Sequence, residues 1–282
     1  MTTPYLRSLL FVPASCPDRI PKALNSQADT VIVDLEDAVA EDEKASAREY
    51  LNNFLVQNPE KSVVVRINAH DSSHFKDDLS FCTKHHGISA IMVPKTETCQ
   101  ALEFAARCKK PIWPLIETAA GLNALSSIVY VSGVERLIFG ALDMCADLGL
   151  ATGTPGAQLI LDQCRYQLLI QSRVSGLKPP IDSVHPAIED TAAVRLAANH
   201  AREMGFAGML CIHPKQLAPI HHAFMPDETE LCWARRVIDG STKGRGVFYL
   251  DGEMVDAPVI ARARHILSQA NDIPCFPINT NK

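Results

Sequence analysis

The chain has 282 residues, 47% of them apolar, and a formal net charge of −5. No basic block accompanies that charge, which argues against a nucleic-acid partner, and no apolar run approaches the ~18 residues of a membrane span. Nine cysteines stand without a C-x-x-C pair, an odd number that suits reduced thiols better than a disulfide framework. The expectation is a soluble cytoplasmic protein: the opening MTTPYLRSLLFVPAS holds only the short apolar run LLFV, interrupted by Pro13.

In chain order, SLLFVP (8–13) reads as a first strand and residues 17–27 as a helix, then TVIVDLED (30–37) as a strand and 41–57 as a helix. SVVVRIN (62–68) and ISAIMVPK (88–95) follow as strands, then TETCQALEFAARCKK (96–110) as a helix with a threonine cap. PIWPLIET (111–118) and ERLIFGALD (135–143) are strands, with a helix over 118–130 between them and another over 155–176. PPIDSV (179–184), a helix over 188–204 and GMLCIHP (208–214) complete the series. The strands are continuously apolar, the mark of a sheet buried on both faces. Eight β-then-α units predict an α/β fold, a (β/α)₈ TIM barrel over residues 1–225. A doubly wound open sheet is the rival, and no G-x-G-x-x-G follows the first strand. Residues 226–282 read as a C-terminal arm: a helix, the loop STKGRG (241–246), a short strand, a turn at Asp251–Gly252 and a last helix from Pro258 to about Gln269. The glycine-rich loop suits a lid or an arm reaching a neighbouring subunit.

Barrel active sites sit at the carboxyl ends of the strands. Those ends carry Asp34, Glu36 and Asp37, then Arg66 and Asn68, then Lys95, Glu117, Asp143 and His213. Any one acid there could simply cap the next helix. Glu117 and Asp143 on adjacent strands fit a Mg²⁺ site with two protein ligands, the other positions left to water and substrate oxygens. Arg66 suits a carboxylate or an enolate oxygen, or else an ion network with Glu36 and Asp37. Pattern alone makes Lys22, Lys44 and Arg48 solvated helix charges, the pairs His85–His86 and His221–His222 surface residues, and Cys145 a packing residue. G-x-S-x-G, H-E-x-x-H and P-loop motifs are absent.

RSLLFVP, ADTVIVDLEDAV with KASAR, VVRIN, MVPKTET, PLIETAAGL, LIFGALDMCADLG, GFAGMLCIHPKQ and the late GEMVDAP occur in this order along the chain. Together they resemble the citrate lyase β-subunit-like family, within the malyl-CoA lyase and HpcH/HpaI aldolase group. The resemblance implies a (β/α)₈ barrel, a Mg²⁺ ion and cleavage of 3-hydroxyacyl-CoA thioesters. It implies Glu117 and Asp143 as metal ligands, with Glu117 also at the substrate, and Arg66 on the substrate oxygens. Asp256 of GEMVDAP would be the catalytic acid/base, although its place before Ala257–Pro258 equally suits a helix cap. Lys22, Lys44 and Arg48 would contact the coenzyme A nucleotide, with Ile212 and His213 near the thioester arm. ASCPDR after Pro13 departs from relatives with more basic residues there, since Asp18 cannot hold a phosphate in the same way.

The implied reaction is a retro-Claisen cleavage giving acetyl-CoA and an α-keto acid, with citramalyl-CoA the preferred substrate ahead of malyl-CoA and citryl-CoA. The alternatives are hydrolysis of the thioester, as in malyl-CoA thioesterases, and service as the β subunit of a citrate lyase acting on an acyl-carrier thioester. The resemblance further implies a homo-oligomer, a trimer or hexamer, in which an arm completes a neighbouring site.

Overall fold

The computed structural model describes residues 6–242 and 247–271. Leu6–His221 form one compact unit, and a second, smaller unit takes the chain from His222 onward. Of the loop STKGRG, residues 243–246 lie outside the described residues.

The larger unit is built on β1 (Ser8–Pro13), β2 (Thr30–Asp34), β3 (Val63–Arg66), β4 (Ile88–Val93), β5 (Ile112–Ile116), β6 (Ile138–Phe139), β7 (Ile181–Asp182) and β8 (Gly208–Cys211). Each strand pairs in parallel with the next and β8 pairs with β1, so the sheet closes into an eight-stranded barrel. One buried cluster draws a side chain from every strand: Leu9, Ile32, Val64, Ala90, Trp113, Ile138, Ile181 and Leu210 among them. The neighbours Leu10, Val31, Val33, Val63 and Val65 are buried as well. Strands covered on both faces explain why apolar runs, not alternation, mark them in the sequence.

The helices between strands are shorter than expected. Residues 17–27 hold a helix only over Arg19–Leu24, 96–110 only over Cys99–Ala106, and 118–130 divides into Ala119–Asn123 and Leu125–Ile128. Pro155–Val174 and Thr191–Glu203 start where Thr154 and Asp190 accept backbone N–H groups of their first turns. Three α-helices lie where none was expected, Leu217–Phe224 among them. Phe75–Lys84 buries Phe75, Leu79 and Cys82, whose spacing of four and three was legible. Ala141–Asp147 corrects the reading of 135–143 as one strand: β6 ends at Phe139, and Asp143 sits in the first turn of a helix. The Ala141 N–H there donates to Ser183 Oγ at 2.9 Å, which anchors the helix start to the end of β7. Among the described residues no helix is long and apolar enough to cross a membrane.

In the smaller unit the helix Glu228–Ser241 opens on a capping box, Asp227 with Glu230. β9 (Phe248–Leu250) and β10 (Glu253–Val255) pair antiparallel around Asp251 and Gly252. Both turn residues have positive φ, 55° and 86°, as a two-residue hairpin turn of matching twist requires. The last helix runs Ala257–Asn271, and Ala234, Val237, Val255, Ala263 and Ile266 form this unit's core.

Candidate active site at the carboxyl rim

Asp34 and Arg66 face each other in the register of β2 and β3. The Asp34 carboxylate accepts both prongs of the guanidinium, Nε at 2.7 Å and Nη2 at 2.6 Å. It also accepts the N–H groups of Glu36 at 2.9 Å and Ala38 at 3.1 Å, folding the Leu35–Asp37 segment back over the rim. Arg66 Nη1 lies 3.1 Å from Glu36 Oε2 and 3.7 Å from Asp37 Oδ2, and the guanidinium rests on the Phe11 ring, 4.8 Å from its centroid. Burial opposes the Arg66 charge, but the carboxylates of Asp34, Glu36 and Asp37 together outweigh it and the pKa is raised. Arg66 therefore is part of the ion network that its position allowed. Two of its nitrogens are held by Asp34, and the third faces Glu36 and Asp37.

Lys95 completes that network. Its Nζ bonds Glu36 Oε1 and lies 3.3 Å from Asp37 Oδ1. Its backbone is left-handed, φ 45°, a conformation that costs a non-glycine residue on the order of 1 kcal/mol or more. In that conformation the Lys95 N–H donates to Glu117 Oε1 at 2.7 Å.

Glu117 follows β5 directly and is buried, 3% exposed. Burial pushes its pKa up to about 8, and the charges of Asp143 and Glu36 add to the effect. Asp143, in the first turn of its helix, is exposed. Its helix is also tied to the segment after β5, because Asp147 Oδ2 accepts the Ala119 N–H at 2.7 Å. Neither Glu117 nor Asp143 has a salt-bridge partner among the described residues. A buried carboxylate facing a second one is destabilising unless a cation joins them. No group of three or more His, Cys, Asp or Glu suited to a metal occurs among the described residues. The donor set is thus two hard carboxylates with open positions, which fits Mg²⁺ rather than a closed zinc site.

The other expected site residues have partners of their own. Lys22 is exposed and pairs with Asp18 at 3.0 Å. Lys44 is buried, its Nζ donating to the carbonyls of Leu35 at 3.1 Å and Glu36 at 3.0 Å. Arg48 donates to Asp78 at 2.7 Å, and Asp78 in turn accepts the backbone and side-chain N–H of Asn68. Lys44 and Arg48 are therefore anchors of the two loops that flank Arg66, not solvated charges. Ile212 is exposed, and it shares the Gln216 side-chain oxygen with the His213 N–H. His221, expected at the surface, is mostly buried and bonds Ser8 Oγ at 2.7 Å, because it closes the gap beside the Arg7–Asp29 pair. Cys145 is buried. In the smaller unit Asp256 Oδ1 accepts the Val259 N–H at 3.3 Å, the contact of a helix cap. Arg66, Glu117 and Asp143 come together, and the roles of Asp34, Glu36 and Lys95 were not assigned from sequence. Their signal was the position at a strand end, which does not say which neighbour each one meets.

A sequence profile of the family described as HpcH/HpaI aldolase/citrate lyase matches residues 7–214. A citrate lyase subunit beta-like protein of Deinococcus radiodurans is 37% identical over 279 residues, covering 93% of this chain and 96% of its own. A (3S)-malyl-CoA thioesterase of Cereibacter sphaeroides is 32% identical over 280 residues, covering 96% of both. Among solved structures, the protein CitE of Mycobacterium tuberculosis in complex with magnesium, acetoacetate and coenzyme A superposes with a TM-score of 0.84 at 33% identity. That match covers 94% of this chain and 98% of the other.

Proposed function

The chain belongs to the HpcH/HpaI aldolase/citrate lyase family, and from that premise we propose that it is a Mg²⁺-dependent carbon–carbon lyase. Its substrate on this reading is a 3-hydroxyacyl-CoA thioester, citramalyl-CoA before malyl-CoA or citryl-CoA, and its products are acetyl-CoA and an α-keto acid. The observation that carries the proposal is the pairing of Glu117 and Asp143, unneutralised, beside a guanidinium already oriented by Asp34. The CitE structure holding magnesium, acetoacetate and coenzyme A together supports the same combination of ligands here.

Held between Glu117 and Asp143, Mg²⁺ would supply a Lewis acid that lowers the pKa of the substrate hydroxyl. The chain's own residues do the rest. Asp256 takes the hydroxyl proton; the C–C bond breaks, and its electron pair passes to the thioester as an enolate. Arg66, oriented by Asp34, stabilises that enolate oxygen with its guanidinium charge. Return of the proton from Asp256 to the enolate carbon then yields acetyl-CoA. The Lys95 N–H keeps one Glu117 oxygen occupied and leaves the other for the cation. For coenzyme A we assign Lys22, Ile212 and His213; Lys44 and Arg48 contribute through the loops they anchor. A trimer or hexamer in which the arm bearing Asp256 reaches a neighbouring barrel completes the assignment. A cytoplasmic setting suits the free thiols.

The malyl-CoA thioesterase relative favours a second reading, attack of water on the thioester at the same site. The beta-like relative keeps a third open, a β subunit that needs partner chains. The metal assignment is tested by Glu117→Ala and Asp143→Ala. Each is expected to abolish Mg²⁺ binding in calorimetry and thioester turnover while leaving the circular dichroism spectrum intact. Near-normal turnover at low Mg²⁺ in either variant removes that residue from the site.

A further inference from the structure

The two carboxylates offered to the cation are held in different ways. Glu117 is buried and has one oxygen fixed by the Lys95 N–H. Asp143 is exposed in the first turn of the helix Ala141–Asp147, so its place is set by where that helix starts. A helix start leaves backbone N–H groups without partners, and the cap residue's own side chain usually accepts one of them. Here the cap residue is Gly140, which has no side chain to offer, and the nearness of Glu117 admits no larger residue there.

The missing acceptor comes from another strand. Ser183, directly after β7 and buried, takes the Ala141 N–H on its Oγ at 2.9 Å. Ser183 is itself held: its N–H donates to Asp182 Oδ1 at 2.8 Å, and the two Asp182 oxygens accept Arg165 Nε at 3.0 and 3.1 Å. The Arg165 guanidinium also covers the Phe139 ring, 5.1 Å from its centroid. Phe139 ends β6 and Asp182 ends β7, so one arginine of the helix Pro155–Val174 clasps both strand ends next to the start of the Asp143 helix. A buried ion pair adds little net stability after desolvation, so the value of this one is geometric.

We propose that Ser183, braced by Asp182 and Arg165, is a positioning residue for Asp143: from the neighbouring strand it caps the helix that presents this carboxylate to Mg²⁺. The inference rests on the metal assignment of Glu117 and Asp143 made above. Groups that orient a metal's ligands change its affinity by roughly 10- to 100-fold. Orientation matters most for Mg²⁺, which demands near-octahedral geometry at about 2.1 Å; Ca²⁺ accepts looser geometry at about 2.3–2.6 Å. Without the Ser183 hydroxyl the Ala141 N–H loses its partner and the helix start is free to shift, carrying Asp143 with it relative to Glu117. Mg²⁺ binding suffers first.

The test is calorimetric titration of the full chain with Mg²⁺ and, separately, with Ca²⁺, in the absence of any thioester. Ser183→Ala is expected to weaken Mg²⁺ binding roughly 10- to 100-fold and Ca²⁺ binding by less than about threefold. The melting temperature in chelator is expected to fall by only about 2–4 °C, the effect of one lost cap. Ser183→Cys keeps the size and offers a weak sulfur acceptor, so it is expected to shift both affinities in the same direction by less, and it replaces the alanine variant if that one does not fold. Unchanged Mg²⁺ affinity overturns the proposal, and so do equal losses for the two ions, which would make Ser183 a structural residue only. Failure of the metal assignment reads differently: the wild type would then bind no Mg²⁺, or Asp143→Ala would bind it as the wild type does, and the proposal would fall with it.

Discussion

At Gly140 any Cβ would lie 2.5 Å from Glu117 Cβ and 2.8 Å from Oε2, so this close approach admits only glycine. The cramped carboxyl has a measurable consequence. Glu117 titrates at about 8 in the folded chain against an ordinary 4.5, so between these values the folded chain holds a proton that the unfolded chain has lost. Stability without metal is therefore highest below the lower value and falls as pH rises toward about 8. Glu117→Gln is expected to remove this part of the pH dependence. Melting temperatures of the two proteins from pH 5 to 9 in chelator are the check, and parallel curves would show that Glu117 titrates normally. Arg66 yields a second expectation at this scale. Lysine keeps the charge and loses the fork that Asp34 grips, so Arg66→Lys is expected to lower kcat on the order of 10²-fold or more. A lowered melting temperature with unchanged kcat would make Arg66 a scaffold residue only.

Among the elements, the helix Ala257–Asn271 separates two roles for one side chain. Asp256 caps it through the Val259 N–H, and asparagine caps about as well as aspartate. Asparagine cannot accept a proton near neutral pH. Asp256→Asn is accordingly expected to preserve the melting temperature and Mg²⁺ affinity while cutting turnover by roughly 10² to 10⁴. Full activity in this variant would leave Asp256 as a cap alone. The elements also show what a sequence discloses. The eight strands were legible because burial on both faces leaves unbroken apolar runs such as TVIVD and AIMV. The place of Asp143 was misread, because GALDMC continues the apolar texture of β6 and only Gly140 marks the break. Lys44 was legible as a cation but not as a buried one, since its partners are carbonyls of Leu35 and Glu36 that sequence does not reveal as free. The pairing of Glu117 with Asp143 could be inferred from barrel topology; the part of Lys95 could not, because it rests on a left-handed backbone after Pro94.

For the whole molecule, the barrel brings Arg66 at the end of β3, Glu117 after β5 and Asp143 in the helix after β6 to one rim. Asp34 orients Arg66, Lys95 balances Glu36 and Asp37, and Glu117 with Asp143 remains as the unneutralised pair. The fate of the thioester distinguishes carbon–carbon cleavage from hydrolysis at such a site. The most direct measurement is mass spectrometry of the products formed by the purified chain with Mg²⁺ from citramalyl-CoA, malyl-CoA and citryl-CoA. The expected result is acetyl-CoA with the matching α-keto acid, pyruvate from citramalyl-CoA foremost, and none in chelator. Free hydroxy acid with free coenzyme A, or no product from any of the three, would contradict a self-sufficient carbon–carbon lyase.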